Sequence, residues 1–184
     1  MKILAISDTH INDRADEIPN VMEKLIYEEK PYDAVIFAGD LTREDVLEWV
    51  RSLAPKQYVV EGNMDYLDLP EYLVDDFNGV RIGVIHGHQI YPRGDVVKLC
   101  KVANKLDAKI LVTGHTHSAL VRSHSNKIIV NPGSLTGVIS GSGSGGIPSF
   151  TTILIMDNSV KIDLYVLSDL MSADYIKQSY KFQI

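Results

Sequence analysis

Five short apolar runs in this chain each lead into the residue types that bind metals. Ile3–Ser7 runs into Asp8-Thr9-His10, Val35–Ala38 into Gly39-Asp40, and Tyr58–Val60 is followed shortly by Gly62-Asn63. Ile82–Ile85 runs into His86-Gly87-His88, and Ile110–Thr113 into Gly114-His115-Thr116-His117. Lys2–Ser7 and Asp33–Ala38 read as buried strands, and Gln57–Val60, Val80–Ile85 and Lys109–Thr113 as three further strands. In open α/β sheets, ligands gather outside the carboxyl ends of such strands. The fold must therefore bring five strand ends to one place.

The segments between the runs fit that demand. A helix is expected to start near Pro19, with Ile18, Met22, Leu25 and Ile26 on its apolar face, and to end at Pro31. Thr42 with Asp45 reads as a capping box opening a second helix that stops at Pro55. A third helix is expected over Gly94–Leu106, with Cys100 on its core face and Lys98, Lys101 and Lys105 on a solvated face. The segment Tyr66–Asn78 reads as irregular. Beyond His117 the pattern becomes antiparallel. One hairpin is expected over Ala119–His124 and Lys127–Asn131, another over Phe150–Met156 and Val160–Leu167. Ser140–Gly146 reads as a surface loop, and the tail Ser168–Ile184 has no strong period. The class is α/β, as one domain over residues 1–184, with His115 and His117 where the two halves meet.

Taken singly, each polar residue has a structural explanation. Asp8 can cap a turn, His86 can be a hydrogen-bonded core histidine, and Asn63 can hold a left-handed turn. Jointly they do not, because five of the six histidines stand at strand ends and only His124, in a hairpin, is left over. If extended backbone persists, Asp8 and His10 face together, as do His115 and His117. A single aspartate can bridge two cations through its two oxygens, and Asp40 is the natural candidate. Imidazole with carboxylate suits manganese, iron, zinc, cobalt or nickel.

Composition narrows the partners. A net charge of −6 argues against general nucleic-acid binding. One cysteine excludes an intramolecular disulfide. The N-terminal apolar run is too short for a signal peptide and no run approaches a membrane span, so a cytoplasmic protein is expected. A homo-oligomer is left open.

Asp8-x-His10, Gly39-Asp40, Gly62-Asn63, His86-Gly87-His88 and Gly114-His115-Thr116-His117, in that order, resemble the calcineurin-like metallophosphoesterase family. The short chain, the His86–Asp95 stretch and Asn131-Pro-Gly-Ser134 resemble its small bacterial and archaeal phosphodiesterase branch. The resemblance implies a four-layer α/β/β/α sandwich and two divalent metal ions, with manganese first and zinc, iron, cobalt or nickel as alternatives. Asp8, His10, Asp40 and His117 would hold one metal, and Asp40, Asn63, His86 and His115 the other. A hydroxide between the metals would attack a small phosphodiester in line, with Asn63 also touching the phosphoryl oxygen. Many members carry a histidine after the Gly-Asn pair as proton donor. Here that residue is Met64, which cannot donate, and His88 is the candidate substitute. Activated aryl diesters should therefore react better than alkyl ones. His86–Asp95, Asn131–Gly137 and Pro148–Phe150 also resemble the metallophosphoesterase-fold scaffold subunit of retromer. That resemblance implies a protein partner and little or no catalysis. Asp40 and Asn63, which that subunit alters, are both kept here.

Overall fold

The computed structural model describes residues 1–169 and 174–184. The chain runs β1 (Lys2–Ile6), α1 (Asn20–Glu28), β2 (Ala34–Phe37), α2 (Glu44–Leu53), β3 (Lys56–Val59), β4 (Tyr72–Phe77) and β5 (Val80–Ile85). It continues with α3 (Val96–Lys105), β6 (Ile110–Val112), β7 (Leu120–His124), β8 (Lys127–Asn131), β9 (Ser149–Met156), β10 (Ser159–Leu167) and β11 (Tyr175–Gln183).

Two mixed sheets result. One has the order β11-β10-β9-β1-β2-β3 and the other β4-β5-β6-β8-β7. In the first, β1, β2 and β3 are parallel, with Ile6 beside Phe37 and Phe37 beside Val59. In the second, β5, β6 and β8 are parallel, with Val84 beside Val112 and Val112 beside Val130. In-register parallel pairing ends the ligand-bearing strands side by side. The turns that follow them therefore open on one edge of each sheet.

Alternation divides the apolar residues among three clusters. Ile3, Ile36, Ile82, Ile110 and Ile128 belong to the core between the sheets. Leu4, Ile6, Val35 and Phe37 face the other way, against Met22 and Ile26 of α1 and Val46 and Val50 of α2. Ile85, Leu111 and Ile129 meet Leu99 and Cys100 of α3. The layers are therefore α/β/β/α, as expected. Ile3, Ile36, Ile82 and Ile110 are fully buried, and each such side chain stabilises the fold by about 1.5–3 kcal/mol over leaving it exposed.

The structure departs from the sequence reading in three places. The Thr42–Asp45 capping box does not form. The residue before α2 is Arg43, and its side chain makes no capping hydrogen bond. Thr42 instead lies at φ +72° with its hydroxyl on the Ile11 and Leu41 carbonyls. Tyr72–Phe77 is a strand despite Asp75 and Asp76, because β4 is a sheet edge, where charged side chains reach water. Part of the tail is also a strand: β11 pairs antiparallel with β10 along its length. The rest of that tail includes residues 170–173, outside the described residues. The remaining helix expectations hold. In α3, Asp95 caps by accepting from the Lys98 amide at 3.0 Å, and the three lysines are exposed.

Candidate metal centre

The turns after the parallel strands are zipped to one another. Asp8 N donates to the Gly39 carbonyl at 3.0 Å and His10 N to the Asp40 carbonyl at 3.1 Å, joining the turns after β1 and β2. Gly114 N donates to the His86 carbonyl at 2.8 Å, joining those after β5 and β6. Asp8 carries the link across the sheets. Both its carboxylate oxygens lie 3.1 Å from the His115 amide, and Ser7 donates its hydroxyl to Oδ2 at 2.7 Å. The backbone at these residues is not extended. Asp8, His10, Asp40, His115 and His117 all have positive φ, from +47° to +66°. The pairs at i and i+2 therefore converge through left-handed turns, where the sequence reading assumed extended strand ends.

Asp8, His10, Asp40 and His117 are buried, and one ligand atom from each lies within 4.8 Å of all the others. His10 Nε2 is 3.2 Å from Asp40 Oδ2 and 3.3 Å from His117 Nε2. His117 Nε2 is 3.3 Å from Asp8 Oδ1. A second group shares Asp40. His86 Nε2 is 3.4 Å from Asp40 Oδ2 and 3.1 Å from Asn63 Oδ1, and the His115 ring centre is 5.0 Å from that of His86. Asn63 is exposed and His115 half-buried. His88 is exposed, with its ring 5.6 Å from His86 and 6.2 Å from His115. His124 is exposed on the β7–β8 hairpin.

Hydrogen bonding fixes what these imidazoles offer. His86 Nδ1 is 2.7 Å from the Ala38 carbonyl, and His117 Nδ1 is 2.6 Å from the Val138 carbonyl. A carbonyl only accepts, so Nδ1 is the donor in both rings. A neutral ring then turns its Nε2 lone pair toward a carboxylate oxygen. Two acceptors at 3.3–3.4 Å repel unless a positive charge lies between them. That is the pattern of metal-binding histidines, whose other nitrogen is held by a carbonyl or carboxylate. At His86 and Asp40 the titration directions show the same pull on positive charge, met there by a proton on the His86 ring. Burial pulls the His86 imidazole down, but the Asp40 hydrogen bond and the charges of Asp8 and Asp40 outweigh it and push it up to about 9. Burial also works against the ionised Asp40, yet His10, His86 and the Met64 amide hold it well below the usual carboxylate range. Burial, with the charges of His86 and Arg93, pushes His115 down to about 4. The buried carboxylates attract positive charge, and the nitrogen and oxygen donors of the cluster fit divalent metals.

The site also uses residues that sequence reasoning passed over. Asp65 accepts from three backbone amides: Asp40 at 2.9 Å, Thr42 at 2.7 Å and Gly62 at 2.7 Å. Gly62 leaves no room for a side chain, since a Cβ there would stand 2.2 Å from Asp40 N and Oδ1. Ser134 donates to the Asp8 carbonyl at 2.7 Å, and Asn131 to the Gly114 carbonyl at 2.8 Å. Arg14 Nη2 lies 2.8 Å from each ring nitrogen of His10. The 140–146 loop lies mostly at the surface, as expected, but it also packs against the site. A Cβ on Gly145 would come 2.7 Å from His117 Cβ, and Ser144 donates to the Thr116 carbonyl at 2.7 Å. Nothing in the sequence singles out Asp65. For Ser134 and Asn131 the signal was the Asn-Pro-Gly-Ser string itself.

Two mixed sheets in α/β/β/α layers, with a carboxylate–imidazole cluster at the strand ends, define a metal-binding fold of the metallophosphoesterase type. The chain belongs to the calcineurin-like phosphoesterase superfamily, whose domain matches residues 1–155. It is 41% identical over 137 residues to a probable metallophosphoesterase of Methanocaldococcus jannaschii, covering 74% of this chain and 69% of that protein. A probable metallophosphoesterase of Methanothermobacter thermautotrophicus is 40% identical over 139 residues, covering 74% of this chain and 78% of that protein. Among solved structures, a single-substitution variant of Vps29 from Entamoeba histolytica superposes with a TM-score of 0.92 at 32% identity, covering 100% of both chains. Among the described residues, no helix is long and apolar enough to cross a membrane.

Proposed function

We propose that this chain is a binuclear metal-dependent phosphodiesterase acting as one unit over residues 1–184. The observation that carries the reading is Asp40. Its Oδ2 stands 3.2 Å from His10 Nε2 and 3.4 Å from His86 Nε2, so one buried carboxylate serves both groups of ligand atoms. Asp8, His10, Asp40 and His117 would hold one metal, and Asp40, Asn63, His86 and His115 the other. Manganese is the first choice, with zinc, iron, cobalt or nickel as alternatives. Wild-type Vps29 of Entamoeba histolytica, 32% identical, has been crystallised with zinc. Divalent ions bound there activate water, orient the ester and offset charge at phosphorus. The residues do the rest. The Ala38 and Val138 carbonyls aim the Nε2 atoms of His86 and His117, and the Met64 amide holds Asp40 Oδ1 at 2.8 Å. Asn63 touches the phosphoryl oxygen. Met64 lines the cleft where a proton donor would be useful. His88, outside that lining with its ring 6.2 Å from that of His115, gives the leaving group only weak assistance.

The test is a metal-swept assay on bis(p-nitrophenyl) phosphate and p-nitrophenyl phosphate with Asp40→Asn as control. Diester hydrolysis abolished by the substitution is the expected result. Full activity in the variant sinks the two-metal assignment.

A second reading, a protein-binding scaffold, is favoured by the whole-chain similarity to Vps29. The Vps29 of Chaetomium thermophilum, 27% identical with a TM-score of 0.82, has been crystallised with a cyclic peptide. Absence of activity with every metal, in folded protein with occupied sites, would favour this reading.

A further inference from the structure

We propose that Arg93 and the cavity beside it form a subsite for a second phosphate on the substrate, an inference that rests on the phosphodiesterase reading. The metal cleft has a volume of about 370 Å³ and is lined by Asp40, Asn63, Met64, His115 and His117, with Arg14 and Arg93. A neighbouring cavity of about 310 Å³ lies between the Gly94–Leu99 segment and the 142–144 loop. Arg93 is common to both linings, so the two cavities adjoin at its side chain.

The two arginines of the cleft differ in what they are free to do. Arg14 is paired with Asp13 at 3.2 Å and lies against His10. Arg93 is exposed and donates Nη2 to the His115 carbonyl at 2.8 Å, a neutral acceptor, and among the described residues no carboxylate forms an ion pair with it. A guanidinium is a planar fork matched to phosphate oxygens. The cavity behind it has mixed walls. Leu99, Ala119 and Leu120 are apolar, while Thr116, Ser118 and Asn131 are polar. Such walls suit a ring with apolar faces and polar edges, as in a sugar. The substrate class is therefore a phosphodiester whose retained alcohol is a sugar-like group carrying another phosphate. The diester sits at the metals, the ring in the second cavity and the second phosphate on Arg93.

The test compares the p-nitrophenyl ester of thymidine 5′-phosphate with the same ester bearing a 3′-phosphate, using manganese-loaded protein. The 3′-phosphate should raise kcat/KM at least about tenfold, mainly through KM, the scale of one charge-assisted hydrogen bond. In Arg93→Gln that ratio should fall to near one, and Arg93→Lys should restore part of it. Equal kcat/KM for the two esters in the wild type overturns the subsite and leaves the phosphodiesterase reading standing. If the protein hydrolyses neither ester nor bis(p-nitrophenyl) phosphate, the phosphodiesterase reading falls. Calorimetric binding of thymidine 3′,5′-bisphosphate then decides the subsite. Affinity weakened tenfold or more by Arg93→Gln supports it, and equal affinity rejects it.

Discussion

Asp65→Ala should damage the metal centre without removing any ligand. The Asp65 carboxylate accepts from the amides of Asp40, Thr42 and Gly62 at 2.7–2.9 Å. Two of those residues, Asp40 and Thr42, are held at φ +61° and +72°, where non-glycine backbone is strained. Removing the carboxylate strands three amides. A buried donor left without a partner costs about 1–3 kcal/mol. Asp65 is only half-buried, so water reaches part of the gap and the lower figure applies, near 1 kcal/mol for each amide. The expected loss is about 3 kcal/mol for Asp65→Ala. Asp65→Asn keeps one acceptor oxygen and should lose about half of that. Urea unfolding of the metal-free protein measures the stability term, and calorimetric titration with manganese measures affinity. Both should fall, because Asp40 is turned by the same backbone that Asp65 holds. A loss below 1 kcal/mol together with wild-type manganese affinity would refute the claim that Asp65 sets the Asp40 turn.

Met64→His should place a direct proton donor in the cleft. Across a series of aryl thymidine 5′-phosphates, the wild-type rate should fall steeply with rising leaving-group pKa, and the variant should fall less, gaining roughly tenfold or more on the poorest leaving group. A flat wild-type profile with chemistry rate-limiting would show that the wild type already has an effective donor and would refute the prediction. Far from the metals, Lys177 bridges Glu29 at 3.4 Å and Asp163 at 3.2 Å. Burial works against both carboxylates, but Lys2 and Tyr165 at Glu29, and Ser179, Lys161 and Lys177 at Asp163, hold them below 4.5 and 3.8. Depressed carboxyls add stability that is complete above their unfolded values and is lost as pH falls through the folded ones. Lys177→Met should therefore lower Tm at pH 7, with the gap closing below about pH 4. A gap that stays constant or widens in acid would show that the ion pairs do not carry it.

What the sequence made legible follows from how each signal is written. Buried parallel strands leave unbroken apolar runs, so β1, β2, β5 and β6 were visible, and with them the turns that carry Asp8, Asp40, His86 and His115. The edge strands β4 and β11 leave no such run. β4 carries Asp75 and Asp76, and in β11 only Tyr180 and Phe182 pack on the inter-sheet core, while Tyr175, Lys177 and Ser179 lie on the other face. Strand pairing there is decided by the neighbours, β5 and β10, and not by local composition. The ligand geometry was legible in kind but not in shape. Period-two reasoning brings Asp8 to His10 and His115 to His117, yet the structure brings them together through left-handed turns. Such backbone is unfavourable by about 1–2 kcal/mol per non-glycine residue, so it persists only where other bonds hold it. Asp65 supplies those bonds at the β2 turn, Ser134 at the Asp8 carbonyl, and the Asp8 carboxylate at the His115 amide. A ligand can be guessed from its residue type. The residues that hold its backbone look like ordinary loop residues until the fold brings them into place. That is why the metal cluster was readable and Asp65 was not.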